Sequence, residues 1–71
     1  MELIIYIEND FYDLFNKFHS NISSDEFVRL GVQINRFGTQ KRMITITAPE
    51  EEMIRDYISY LESEPIPFSF Q

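Results

Sequence analysis

The chain has no cysteine, so neither a disulfide nor thiolate chemistry can stabilise it or run a reaction. It has no tryptophan, one histidine, two glycines and a single alanine. Two glycines, Gly31 and Gly38, are too few for a phosphate-cradling loop. Basic residues number 6 against 12 acids, a formal charge of −6, which argues against phosphate-backbone binding by the whole surface. No apolar run nears the roughly 18 residues of a membrane helix. Glu2 stands where a signal peptide would place a basic residue, so the expectation is a cytoplasmic protein with no membrane contact. With His19 the sole side chain titrating near neutrality, a catalytic constellation is hard to assemble. Four residues after Phe15, this histidine is expected to sit partly exposed at a helix C-terminus, protonated against the dipole. No second histidine or suitably spaced carboxylate accompanies it, so no metal and no cofactor are expected.

What the chain does have is bulk. Hydrophobic residues make up 44% of its 71 positions, with 7 Phe and 4 Tyr. That composition folds rather than staying disordered. Ten isoleucines and one alanine match AT-rich coding, as in low-GC bacteria and their phages. A chain this short buries only about 60–65% of its unfolded surface, so packing or a partner subunit must stabilise it. One domain is expected over residues 1–71.

The apolar spacing changes period along the chain. Leu3 to Ile7 is a β-branched run, with Leu3, Ile5 and Ile7 on one face and Glu2, Ile4, Tyr6 and Glu8 on the other. Asn9 and Asp10 offer helix-capping oxygens, and Asp13 suits a first turn. Phe11, Leu14, Phe15, Phe18 and Ile22 then form a helical stripe that ends at Ser23 and Ser24. From Phe27 the period returns to two: Val28, Leu30, Val32 and Ile34 alternate with Arg29, Gly31, Gln33 and Asn35. Gly31 reads as a bulge or twist point, or as a point where a ligand or another backbone comes close. Residues 37–42 read as a hairpin connection with Gly38 at positive φ. Met43 to Thr47 returns, with Ile44, Ile46 and Ala48 inward. Pro49 and the acids after it open a second helix, with Thr47 as the candidate cap and Met53, Ile54, Tyr57, Ile58 and Leu61 as its stripe. Ile66, Phe68 and Phe70 suggest a last strand, which Pro67 confines to a sheet edge. The order is βαββαβ, the split βαβ pattern of an α+β ferredoxin-like fold, with two helices on one face of a four-stranded antiparallel sheet.

Charge is segregated along the chain. Residues 1–26 carry a net −5, residues 27–42 a net +4 from Arg29, Arg36, Lys41 and Arg42, and residues 43–71 a net −5. Glu50, Glu51, Glu52 and Asp56 gather at the start of the second helix without the wrapped loop that calcium needs. The candidate partner-binding residues are therefore Glu50, Glu51, Glu52 and Asp56 on the acidic side, Arg36, Lys41 and Arg42 on the basic hairpin, and Tyr6 on the uncovered sheet face. Ile4, Arg29, Gln33, Met43, Thr45 and Thr47 would accompany Tyr6 there, a polar-rimmed surface suited to a second copy. The edge strand is another way to form a homodimer. Nucleic-acid binding through the four bases is disfavoured by the twelve acids.

The segment Met43 to Phe70, a strand, an acidic helix with Tyr60-Leu61 near its end, then a short β segment, resembles the second half of ACT and NIL domains. That resemblance implies a ligand-sensing regulatory module acting as a dimer. The residues themselves point first to a small acidic non-enzymatic interaction protein. It would be an inhibitor, an antitoxin-like factor or a phage-type anti-defence factor that blocks a partner with a basic surface by mimicking nucleic-acid charge.

Overall fold

The computed structural model describes residues 1–22 and 29–71. The readings placed on Ser23, Ser24, Phe27 and Val28 lie outside the described residues. Strand β1 spans Glu2–Glu8, and a single 3-10 turn at Asn9–Phe11 leads into helix α1, Tyr12–Ile22. Strands β2, Gly31–Phe37, and β3, Lys41–Thr47, form a hairpin. Helix α2 spans Glu51–Glu62, and strand β4 is Ser69–Phe70. The sheet order is β2-β3-β1-β4 and every pairing is antiparallel, the ferredoxin-like arrangement.

The alternation in β1 and β3 decides the layering. Register places Ile5 opposite Ile44 and Leu3 opposite Ile46, with Ile7 opposite Arg42. Ile5, Ile7, Ile44 and Ile46 are fully or almost fully buried, whereas Ile4, Tyr6, Met43 and Thr45 on the other face are half-buried. Both helices cover the first face. Phe15 and Phe18 of α1 and Ile54, Tyr57, Ile58 and Leu61 of α2 close one cluster over the four isoleucines. Each such side chain contributes roughly 1.5–3 kcal/mol by leaving water.

Several local readings need correction. Asn9 caps no helix: it lies within the 3-10 turn, and its side-chain amide donates to Thr39 O at 3.0 Å, tying that turn to the hairpin. Leu14 is 43% exposed, because the core face runs from Phe11 in the 3-10 turn through Phe15, Phe18 and Ile22 of α1 and Leu14 sits on its flank. Pro49 lies before the N-cap rather than in the first turn. Glu50 is the N-cap, with an extended backbone and no side-chain capping bond, and Thr47 is the last residue of β3. The last strand is two residues long rather than five, since Pro67 has no N–H to give a ladder and Ile66 turns into the core. Gly31 is no bulge. It pairs directly with Thr47, whose hydroxyl stands 2.7 Å from where a Cβ would sit, so the close approach comes from a side chain on the neighbouring strand. Gly38 does hold φ 70° in the hairpin turn.

The two helical positions give a clean contrast. Phe18→Ala is expected to lower unfolding free energy by about 3–5 kcal/mol. Leu14→Ser should change it by no more than about 0.5 kcal/mol. Urea denaturation of both variants checks this. A large loss in Leu14→Ser would move the core face of α1.

Candidate functional site: charged layers and an aromatic sheet face

Eight of the ten acidic residues described lie on the helical layer, while Glu2 and Glu8 end β1 on the open face. Glu50 ends the approach to α2, Glu51 and Glu52 occupy its first turn, and Asp56 lies about one turn on; all are exposed. Placement at the helix start is favourable because the unsatisfied N–H groups there carry partial positive charge. Arg55 reaches back to Glu51 at 3.3 Å, an exposed i,i+4 pair that adds little stability. Asp10, Asp13, Glu62 and Glu64 are exposed on the same layer, against Lys17 and Arg55 as its bases. The sequence reading of an acidic surface at the start of α2 is thus one part of a wider acidic layer.

The basic hairpin does not form one patch. Strand alternation divides it, with Arg36 and Arg42 directly opposed on the helix side while Lys41 pairs with Glu8 and Phe37 on the open side. Arg42 packs its guanidinium over Tyr12, 3.9 Å from the ring centroid. Tyr12 escaped the sequence reading because it falls between apolar positions of α1, and only the tertiary arrangement brings it to β3.

Tyr6 lies at the centre of the open face, opposite Met43. Its ring is 4.7 Å from that of Phe37, which is 49% exposed. Phe37 belongs to β2 as its last residue and not to the hairpin connection, so the open face carries an aromatic pair flanked by Ile4, Met43 and Thr45. Gln33 and Thr47 are exposed on that face, and Arg29 is exposed just before β2.

His19 belongs to the interface between the helices. Its Nδ1 shares a 3.0 Å hydrogen bond with Tyr57 Oη, and its ring stacks parallel to Phe15. Burial lowers its pKa below the ordinary 6.5, so it is neutral at pH 7 rather than protonated against the helix dipole. Burial also raises the pKa of Tyr57. Along the sheet edge, a groove of about 400 Å³ runs between the start of β1, α2 and Phe70, lined among others by Leu3, Ile54, Arg55 and Ile58. Among the described residues no group of three potential ligands is placed to hold a metal ion, and no helix is long and apolar enough to cross a membrane.

No protein-family model, curated protein or solved structure matches this chain. Its function has to be sought in the surface chemistry just described.

The histidine gives a pH dependence whose sign follows from linkage. With a folded pKa below 6.5, the unfolded chain binds the proton more readily. The contribution to stability is complete above pH 6.5 and is lost as pH falls through the folded value. The urea midpoint is therefore expected to drop between about pH 7.5 and pH 5.5. His19→Gln should shrink that drop; an unchanged drop would remove His19 as its source.

Proposed function

We propose that this chain is a small non-enzymatic interaction protein that blocks a partner through the acidic surface of its helical layer. The observation that carries the reading is the excess of acid on the helical layer, eight exposed carboxylates against Lys17 and Arg55 among the described residues. Asp10, Asp13, Glu50, Glu51, Glu52, Asp56, Glu62 and Glu64 all face solvent on the helix side, whereas the open sheet face is aromatic and aliphatic at its centre. A compact negative surface attracts a basic partner from a distance and aligns it before contact. Successive carboxylates on helices can take the place of nucleic-acid phosphates in a basic groove. This is the action of an inhibitor, an antitoxin-like factor or a phage-type anti-defence factor, working in the cytoplasm where nucleic-acid-binding enzymes operate.

A second reading, a ligand-sensing module acting as a dimer, has one observation in its favour. The groove beside β1 combines apolar walls with Arg55 and Glu51 at its rim, a composition suited to a small amphipathic ligand. Saturable stabilisation by an amino acid or nucleotide, together with a dimer in solution, would favour it over the first.

The deciding comparison is affinity capture with the wild-type chain beside the charge reversal Glu50→Lys, Glu51→Lys, Glu52→Lys, Asp56→Lys. The wild type is expected to retain a partner with a basic surface that the reversed form loses. Association of that partner should slow by about tenfold or more between low and physiological salt. A partner held equally by both forms, with no salt dependence, would sink the proposal.

A further inference from the structure

At the hairpin end of the sheet stand two arginines that no carboxylate among the described residues neutralises. Register sets Arg36 directly across from Arg42. Like charges opposed on neighbouring strands repel. The ion pair of the described residues, Arg55 with Glu51, lies on α2, whose start adjoins the other end of β3. Stacking on Tyr12 occupies one face of the Arg42 guanidinium and none of its N–H groups. Its Nε is buried with no acceptor. A charged donor in that position lacks a counterpart.

The space beside the two arginines is shaped for such a counterpart. A cavity of about 310 Å³ is lined by Asn9, Arg36, Gly38, Thr39 and Arg42, with no carboxylate in its wall. The wall is held in place, because the Asn9 backbone N–H donates to Gln40 O at 2.8 Å and its side chain donates to Thr39 O. Gly38 puts no side chain over the space, and a Cβ there would meet nothing within 4 Å.

We propose that this cavity binds a small phosphorylated molecule, its phosphate held between the guanidinium groups of Arg36 and Arg42, with Tyr12 fixing the plane of Arg42. Two guanidinium groups match the charge of about −1.5 to −2 that a phosphate monoester carries near neutrality. Planar forks of N–H donors match its oxygens better than a single ammonium would. A polymer of phosphates fits poorly, because the chain as a whole carries −6. A single phosphate on a small molecule presents far less charge to that field. The site uses the opposite charge from the acidic layer and stands or falls independently of it.

The test is an NMR titration of the uniformly ¹⁵N-labelled chain with inorganic phosphate near pH 7, ionic strength being held constant with chloride. Saturable shifts are expected at the amides of Asn9, Gly38 and Thr39 and at the Arg42 Nε–H. Arg36→Gln should weaken binding by about tenfold or more. Because Arg36 is exposed, this variant is expected to fold, and by relieving repulsion it should melt at a higher temperature than the wild type without phosphate. Phosphate should raise the melting temperature of the wild type clearly more than that of the variant. No saturable shift up to about 20 mM phosphate, well above a millimolar dissociation constant, would overturn the proposal. So would equal binding by Arg36→Gln. An oligonucleotide that binds more tightly than phosphate and also shifts the Arg29 and Lys41 amides would overturn it in favour of a nucleic-acid interface.

Discussion

The pairing of β1 with β3 is the constraint on which everything else rests. It brings Leu3, Ile5 and Ile7 into line with Ile46, Ile44 and Arg42. A slip of one residue would turn the isoleucines outward and leave the helices nothing to cover. Because the register is fixed, the aromatic stripe of α1 and the aliphatic stripe of α2 meet a single apolar surface. In a chain without disulfides that surface is the principal source of stability.

Strand pairing also distributes the charges. Alternation along β3 sends Lys41 and its neighbour Arg42 to opposite faces, and the β2–β3 register brings Arg36 against Arg42 although five residues lie between them. Chain order puts the acidic opening of α2 at the far end of β3 from the hairpin. The molecule is therefore polarised in two directions at once: acidic helices over an aromatic sheet face, and a cationic hairpin opposite an anionic helix start. Polarity of this kind comes from topology and is only partly visible in the linear order of charges.

Much of the fold was legible in the sequence because its apolar spacings change period so plainly. Leu3, Ile5 and Ile7, and then Phe11, Phe15, Phe18 and Ile22, announce a strand and a helix without ambiguity. Apart from Leu14, which the helical spacing places on the stripe and the helix turns to its flank, the misreadings are at boundaries or at residues whose role depends on something distant. Asn9 has the chemistry of a cap, but the helical turn opens one residue earlier with Glu8 at the N-cap position, and the Asn9 amide donates to the hairpin instead. Pro67 shortens the last strand because the ladder requires an N–H that it does not have. Of the candidate site, Glu50, Glu51, Glu52 and Asp56 could be grouped by helical spacing alone. The contact of Arg42 with Tyr12 and that of Tyr6 with Phe37 could not, since each joins segments about thirty residues apart in the chain.

The central position of β1 also has a consequence in time. This strand is synthesised before both of its neighbours: β3 begins at Lys41 and ends at Thr47, and β4 comes only at Ser69. At about 5–20 residues per second, the nascent chain carries an unsatisfied apolar strand for several seconds before either flank exists. Glu2 and Glu8 bracket that strand with negative charge, which would discourage two waiting chains from pairing edge to edge. The fold places the earliest made of its four strands in the middle of the sheet, and charge stands at both ends of that strand.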